Sequence, residues 1–159
     1  MPTLATIATK INNYRMDVPS SNFVPHQGLQ IYPANTPTTL NQEWTLVSNI
    51  DGVPVPNGYV NIFAGNEPSN HLCIDVPNGV AQPEIEVQLY PINRPGGTAN
   101  QQWKLIPVPG LPNWVFIASA LDNSLVLDVR GGSGAAHTPI QIYTRGNEQP
   151  NQIWFLNPV

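Results

Sequence analysis

Asn41-Gln42-Glu43-Trp44, Asn100-Gln101-Gln102-Trp103 and Asn151-Gln152-Ile153-Trp154 are three copies of one motif, Asn-Gln-x-Trp. The motifs hold three of the four tryptophans of the chain, and these tryptophans lie 59 and then 51 residues apart. Self-similarity at a long, fairly regular spacing is typical of repeated architectures. The sequence therefore predicts one domain built from three copies of one unit, covering approximately residues 1–48, 49–107 and 108–159.

The repeat extends upstream of each tryptophan. Each copy contains a hydrophobic residue, an aspartate and a valine: Met16-Asp17-Val18, Ile74-Asp75-Val76 and Leu127-Asp128-Val129. A glutamine follows each aspartate after 13 residues, with a tyrosine two residues later: Gln30-Ile31-Tyr32, Gln88-Leu89-Tyr90 and Gln141-Ile142-Tyr143. The interval from the aspartate to the motif asparagine is 24, 25 and 23 residues, so length changes fall in the last loop. Hydrophobic patterning alone would not keep polar residues in such a register.

Composition excludes several classes of function. The 159 residues suit a single domain with a real core, and 10% of them are charged, with a formal net charge of −4 and no basic run. Nucleic acids and anionic membrane surfaces both require basic patches, so neither is an expected partner. Cys73 is the single cysteine and lies between apolar neighbours, which predicts a small buried side chain. The sequence predicts no metal or cofactor site.

The N-terminal residues 1–7 lack the basic segment and apolar run of a signal peptide. The chain also contains no Asn-x-Ser/Thr glycosylation acceptor, and no apolar stretch approaches the roughly 20 residues that span a bilayer. We therefore expect a cytoplasmic protein, although unconventional release would leave no trace in the sequence.

An all-β fold is predicted because 18 prolines and 12 glycines divide the chain into short segments. Runs such as Trp114-Val115-Phe116-Ile117 and Leu125-Val126-Leu127-Asp128-Val129 have the length and residue types of strands. Each copy contains four such segments, and the three copies therefore predict about twelve strands.

The repeated polar residues have the chemistry of a sugar-binding site. Alternate side chains of a strand face opposite ways, so Gln30 and Tyr32 share an exposed face while Ile31 faces the core. A tyrosine offers an apolar ring for the C–H groups of a sugar, and Asp, Asn and Gln offer acceptors and donors for its hydroxyls.

These motifs resemble the ricin-B-type β-trefoil lectins over the whole chain, most closely the small single-domain fungal members. The resemblance implies a β-trefoil in which the aspartate binds the 3- and 4-hydroxyls of galactose or N-acetylgalactosamine, the aromatic residue stacks on the sugar and the asparagine binds the 3-hydroxyl. The implied pockets are Asp17, Gln30, Tyr32, Asn41 and Gln42; Asp75, Gln88, Tyr90, Asn100 and Gln101; and Asp128, Gln141, Tyr143, Asn151 and Gln152. The implied partners are terminal galactose or N-acetylgalactosamine glycans of glycoproteins and glycolipids, and a defence or toxic role follows from the family alone.

Departures from the repeat lead us to expect the second pocket to be the least typical. It has the longest loop, and Glu84 and Glu86 stand where the first copy has His26 and Gly28. His26 and His137 each follow their own aspartate by nine residues. They could line the rims of the pockets of their own copies or simply be solvated.

Structural alternatives exist for each element of the site. The three motif tryptophans are expected in the core, the aspartates could bond turn amides, and the tyrosines could cap strand edges. The glutamine within each Asn-Gln-x-Trp motif, at 42, 101 and 152, is expected to hold its loop more than to contact a ligand.

Catalysis is not expected, because a glycosidase needs two carboxylates about the scissile bond and each copy repeats one. A β-trefoil protease inhibitor is the alternative function, acting through the proline-rich stretches 53–56 and 107–110. Weak single-site binding would require several sites or a homodimer, between which the sequence does not choose.

Overall fold

The computed structural model describes residues 3–50, 53–66, 71–93 and 96–159. Its strands are β1 (Thr3–Thr9), β2 (Arg15–Asp17), β3 (Gln30–Tyr32), β4 (Trp44–Val47), β5 (Asn49–Ile50), β6 (Val53–Pro54), β7 (Asn61–Ala64), β8 (Leu72–Asp75), β9 (Ile85–Glu86), β10 (Gln88–Pro91), β11 (Trp103–Pro107), β12 (Trp114–Ser119), β13 (Leu125–Val129), β14 (Ile140–Thr144) and β15 (Trp154–Pro158). Short 3-10 turns cover Pro19–Ser21, Leu40–Gln42, Pro56–Gly58, Pro77–Gly79, Ala99–Gln101, Arg130–Gly132 and Pro150–Gln152.

Six strands form a closed barrel in which the first and last strands of each repeat alternate. Antiparallel pairing runs from β1 to β4, from β4 to β7, from β11 to β12, from β12 to β15 and back to β1. A bridge between Val60 and Trp103 joins the β7 and β11 ends of the ring. Closure removes the free edges that would otherwise recruit other chains.

Three hairpins cover one end of the barrel, one from each repeat: β2 with β3, β8 with β10, and β13 with β14. Each hairpin also touches the next repeat. Gly28 bridges to Gln88, β9 pairs with β14, and Pro139 bridges to Gln30. The cap is therefore a ring of three hairpins, closed from repeat 1 to repeat 2, from repeat 2 to repeat 3 and from repeat 3 to repeat 1.

The all-β prediction is confirmed, and the twelve repeat strands are present as the β-trefoil arrangement. The described residues contain three further short strands: the β5–β6 hairpin, and β9, which exists because the second repeat pairs with β14. No helix in the described ranges has the length and apolarity needed to cross a membrane.

The three motif tryptophans lie in the core, as predicted. Trp44, Trp103 and Trp154 are fully buried in one cluster that spans all three repeats. Each indole N–H donates to the carbonyl oxygen of the residue before a repeated aspartate, over 3.1, 3.0 and 3.1 Å. The tryptophan thus fixes the strand that carries the aspartate, which connects the core of each repeat to its polar residues.

Cys73 is fully buried, as predicted, and lies with Val47, Phe63 and Ile92 in a small cluster outside the main core. Burial raises the pKa of its thiol, so it stays protonated and inert.

Candidate functional site

A buried carboxylate lies at the floor of each predicted pocket. Asp17 is 2% exposed at the end of β2 and accepts three side-chain amide hydrogen bonds. Gln30 Nε2 donates to Oδ1 over 2.8 Å, while Asn41 Nδ2 and Gln42 Nε2 donate to Oδ2 over 2.8 and 3.0 Å. The four residues predicted from sequence spacing are therefore in direct contact.

The other two repeats reproduce this floor. Asp75 accepts from Gln88, Asn100 and Gln101 over 2.9, 2.9 and 3.0 Å. Asp128 accepts from Gln141, Asn151 and Gln152 over 3.0, 2.8 and 2.9 Å. The three carboxylates are bonded by side-chain amides, so they are not explained as acceptors for turn amides. Each uses three of roughly four lone-pair positions and keeps capacity at Oδ1 for one more donor.

The glutamine within each Asn-Gln-x-Trp motif lies beneath the pocket. Gln42, Gln101 and Gln152 are all fully buried. Besides its aspartate, Gln42 donates to Pro33 O over 2.9 Å and accepts from the backbone N–H of Asn35 over 2.9 Å. These glutamines therefore position the aspartate and hold the loop in place. Of the two roles that the sequence left open, holding the loop or contacting a ligand, the contacts fit the first.

Burial raises the pKa of all three aspartates, and hydrogen bonds from neighbouring glutamines act against this shift. For Asp17 and Asp75 a nearby histidine, His137 and His26 respectively, also opposes the rise. Asp128 has only the hydrogen bonds of Gln152 and Gln141 in opposition. The three carboxylates thus share a floor but differ in their electrostatic surroundings.

The first pocket opens above Asp17 as a depression of about 270 Å³. It is lined by Asp17, Pro19, Ser20, Gln30, Tyr32, Asn35, Asn41 and His137. Tyr32, in the wall of this pocket, is partly exposed, while Gln30 is 8% exposed. The expectation that the glutamine shares an exposed face with the tyrosine is wrong for Gln30 and for Gln141, at 3%. Strand alternation places both side chains on one face, but the glutamine bends onto the carboxylate and is covered.

The histidine at the rim of the first pocket comes from the third repeat. His137 Nδ1 lies 3.1 Å from Gln30 Oε1, and its ring packs against Tyr32 at a centroid distance of 5.0 Å. Because Gln30 Nε2 faces the carboxylate of Asp17, its Oε1 can only accept, and His137 must carry its proton on Nδ1.

The second pocket is completed in the same way by the first repeat. His26 Nδ1 lies 3.2 Å from Gln88 Oε1, and its ring lies 5.1 Å from that of Tyr90. The histidines therefore lie at pocket rims, one of the two roles that the sequence left open, but each lies at the pocket of the next repeat and not of its own. The cap hairpins exchange loops around the ring, so the loop of each repeat reaches the next pocket.

The third pocket receives Glu84 of the second repeat at the same place. Glu84 donates its backbone N–H to Ile142 O over 2.9 Å, as His26 does to Leu89 O and His137 to Ile31 O over 2.8 and 2.9 Å. All three residues have a left-handed backbone, with φ of 69°, 69° and 70°. A non-glycine residue in this region costs roughly 1–2 kcal/mol, so the junction is a defined feature of the cap.

The expectation that Glu84 and Glu86 mark the second pocket as the least typical is therefore wrong, because both residues lie at the third pocket. Glu86 pairs with Gln141 across β9 and β14, and its Oε1 lies 2.6 Å from Arg130 Nη1. Arg130 stands where the first two repeats have Pro19 and Pro77. No histidine packs on Tyr143 in the contacts of the described residues, and this tyrosine is 39% exposed.

A side-chain relay that the sequence analysis missed steadies the first two pockets. Asn35 Nδ2 donates to Thr39 Oγ1, which donates to Asn41 Oδ1, both over 2.6 Å. Asn93, Thr98 and Asn100 repeat the relay over 2.9 and 2.5 Å. The sequence signal for this relay is an asparagine and a threonine that precede the Asn-Gln-x-Trp motif in the first two copies. The third copy has Gly146 and Gln149 at these places, so Asn151 lacks this support.

The proline-rich stretches of the inhibitor hypothesis are exposed at Pro54, Pro107, Pro109 and Gly110 and buried at one valine each. Val55 and Val108 are 6% and 4% exposed, and Val108 donates its N–H to Trp114 O over 3.0 Å.

A family model described as ricin-type beta-trefoil lectin domain-like matches residues 40–143. A designed threefold-symmetric protein, ThreeFoil, is similar with a TM-score of 0.82 over 98% of this chain and 99% of its own, at 20% identity. The C-half of an earthworm R-type lectin, solved in complex with GalNAc, gives 0.68 over 99% of both chains at 19% identity.

An exo-beta-1,3-galactanase from Clostridium thermocellum gives a TM-score of 0.81 over 99% of this chain but 30% of the enzyme, at 23% identity. At these identities the likeness concerns the fold. No curated protein sequence matches.

Proposed function

Since the chain belongs to the ricin-type β-trefoil lectin family, we propose that it binds glycans ending in galactose or N-acetylgalactosamine through its three pockets. The observation that carries the proposal is the buried carboxylate of Asp17, Asp75 and Asp128, each held by three side-chain amides below a partly exposed tyrosine. Such a carboxylate is oriented before any ligand arrives, so little ordering entropy is lost on binding.

The chemistry of the floor fits a sugar hydroxyl that donates to the remaining acceptor position of the carboxylate. In each pocket the carboxylate has acceptor capacity left, and a donor to it must come from outside because the amides around it are already used. The tyrosine ring beside it offers an apolar face to the C–H groups of the same sugar. An axial and an equatorial hydroxyl at one edge, with a C–H patch behind them, describe galactose and N-acetylgalactosamine. The earthworm R-type lectin with this fold was solved with GalNAc.

A non-catalytic role is part of the proposal. The lining of the first pocket contains one carboxylate, Asp17, whereas a glycosidase places two about 5 to 10 Å apart. In the galactanase that shares this fold, the matched part covers 30% of the enzyme.

Affinity would come from multiplicity. A shallow pocket for one sugar ring binds near millimolar, about −4 kcal/mol. Three pockets on one rigid cap raise the affinity for clustered glycans of glycoproteins or glycolipids by mass action. Multivalent capture of cell-surface glycans is also the physical basis that a defence or toxic role would require.

A glycan array tests the proposal. We expect signal for terminal galactose and N-acetylgalactosamine, competed by free galactose, and none for terminal mannose. The triple variant Tyr32→Ala, Tyr90→Ala, Tyr143→Ala should bind soluble forms of the array glycans at least tenfold more weakly. Titration calorimetry measures this loss of affinity. Tyr59→Ala is the matched control, because Tyr59 bonds Asn123 over 3.0 Å outside the pockets. Silence on the array, or equal binding by the triple variant and the control, would refute the proposal.

A further inference from the structure

The residue at the junction between repeats is the main chemical difference among the pockets. His137 and His26 fill this place in the first and second pockets, and Glu84 fills it in the third with the same backbone conformation and the same backbone hydrogen bond. The three side chains therefore leave the backbone at equivalent points. A donor in two pockets is replaced by an acceptor in the third.

This replacement leaves a buried acceptor without a partner. In the first two pockets the glutamine Oε1 accepts from the histidine Nδ1 over 3.1 and 3.2 Å. Gln141 is 3% exposed, its Nε2 donates to Asp128, and its Oε1 has no hydrogen-bond partner among the residues that the structure describes. A glutamate carboxylate cannot donate to this oxygen, and no imidazole lies at this place in the described residues. A ligand that brings a donor here takes the place of the imidazole.

The charges around the third pocket favour a positive donor. Glu84 is exposed, Asp128 lies at the floor, and Glu86 is paired with Arg130 over 2.6 Å. Within the described part of the chain, Glu84 and Asp128 thus have no cation paired with them, whereas Asp17 in the first pocket has His137 nearby as a source of positive charge. The exposed ring of Tyr143 adds an apolar face of the kind that attracts cations.

We propose that the third pocket prefers a sugar carrying a charged amino group, such as galactosamine, over the neutral galactosides taken by the first two pockets. The inference rests on the proposed function and names the ligand class of one pocket. An ammonium group supplies three N–H donors, one for Gln141 Oε1, and a charge that Glu84 attracts. A galactose hydroxyl offers the donor without the charge, and an N-acetyl group is neutral.

The test is a pocket-resolved NMR titration of the whole chain with galactosamine, galactose and N-acetylgalactosamine. Backbone amides of Tyr143 and Gly146 report on the third pocket, and those of Tyr32 and Asn35 on the first. We expect galactosamine to bind the third pocket about threefold to fivefold more tightly than galactose, the size of one partly exposed ion pair. The preference should shrink at high salt, and the first pocket should show none.

Reciprocal exchange of the junction residues sharpens the test. Glu84→His should abolish the preference at the third pocket, and His137→Glu should create it at the first. Both residue types already occupy this backbone conformation here, so the fold should tolerate the exchange. Glu84→Gln keeps the size and removes the charge, and should also abolish the preference.

Equal affinity of the third pocket for galactosamine and galactose would overturn the inference and leave the proposed function intact. A preference that survives Glu84→Gln would overturn the role of Glu84. If no sugar shifts any of the three pockets, the proposed function fails and the inference falls with it.

Discussion

The floors and the rims of the pockets behave differently across the three repeats. Each floor consists of the same four polar residues above a buried tryptophan, with hydrogen bonds between 2.8 and 3.0 Å in every copy. The rims are alike in two pockets and different in the third. There Glu84 stands in place of a histidine, Glu86 in place of a glycine or a proline, and Arg130 in place of a proline.

The difference separates what folding requires from what a ligand meets. A buried carboxylate without its amides would cost several kcal/mol, so any change at the floor is opposed by stability. Rim side chains are exposed or half-exposed, and a substitution there costs little. Repetition at the floor is therefore evidence about the fold as much as about binding, and a difference in specificity among the proposed sites would come from the rim.

The largest expected effect is at the base of the floor. Trp154→Ala should lower the free energy of unfolding by about 3–5 kcal/mol, because it empties a core position and removes the N–H that holds Leu127 O. The fourth tryptophan, Trp114, is half-buried against Phe155, and Trp114→Ala should cost only about 1–2 kcal/mol. Chemical denaturation measures both. Equal losses would break the distinction between the motif tryptophans and the remaining one.

A smaller loss is expected within the floor itself. Gln42→Ala leaves the Asn35 N–H and Pro33 O unpaired and takes one amide from Asp17, so the free energy of unfolding should fall by about 2–3 kcal/mol. The exposed Gln82 serves as control, and Gln82→Ala should stay within about 0.5 kcal/mol of the parent. A neutral Gln42→Ala would mean that the floor is maintained for ligand alone.

The smallest expected effect is a difference in pH dependence among the pockets. Burial raises the pKa of each aspartate, so the ionised form that accepts sugar hydroxyls is lost at a higher pH than for an ordinary aspartate. A nearby histidine opposes the rise in the aspartate pKa at Asp17 and Asp75, but none does so at Asp128. On acidification, galactose binding followed by NMR should therefore fail first at the third pocket.

The histidines provide the control for this pH dependence. His137→Ala should move the loss of binding at the first pocket to higher pH and leave the second unchanged, while His26→Ala should do the reverse. Simultaneous loss of binding at all three pockets would contradict the electrostatic difference.

Most of the fold and of the floor could be predicted from sequence, because both depend on spacing within one repeat. The 13-residue interval from Asp17 to Gln30 is a hairpin, and the burial of Trp44 follows from its size and recurrence. Tyr32 lies with Asp17 in the lining of the first pocket.

The loop exchange could not be predicted in the same way. Nine residues separate Asp128 from His137, and that distance is equally consistent with the pocket of its own repeat and with the next one. The choice depends on pairing between hairpins, such as the bridge from Pro139 to Gln30, which is a contact between the two ends of the chain. The burial of Gln30 was missed for the same reason, since its cover comes from another repeat.

The ring of exchanged loops bears on how such a protein could diversify. An isolated repeat would hold only part of a pocket, and three identical repeats assembled as a trimer would complete three identical pockets across their interfaces. In a trimer, one codon change at the junction would alter every pocket at once. Joining the repeats in a single chain allows each junction to differ from the others, and position 84 carries glutamate where positions 26 and 137 carry histidine.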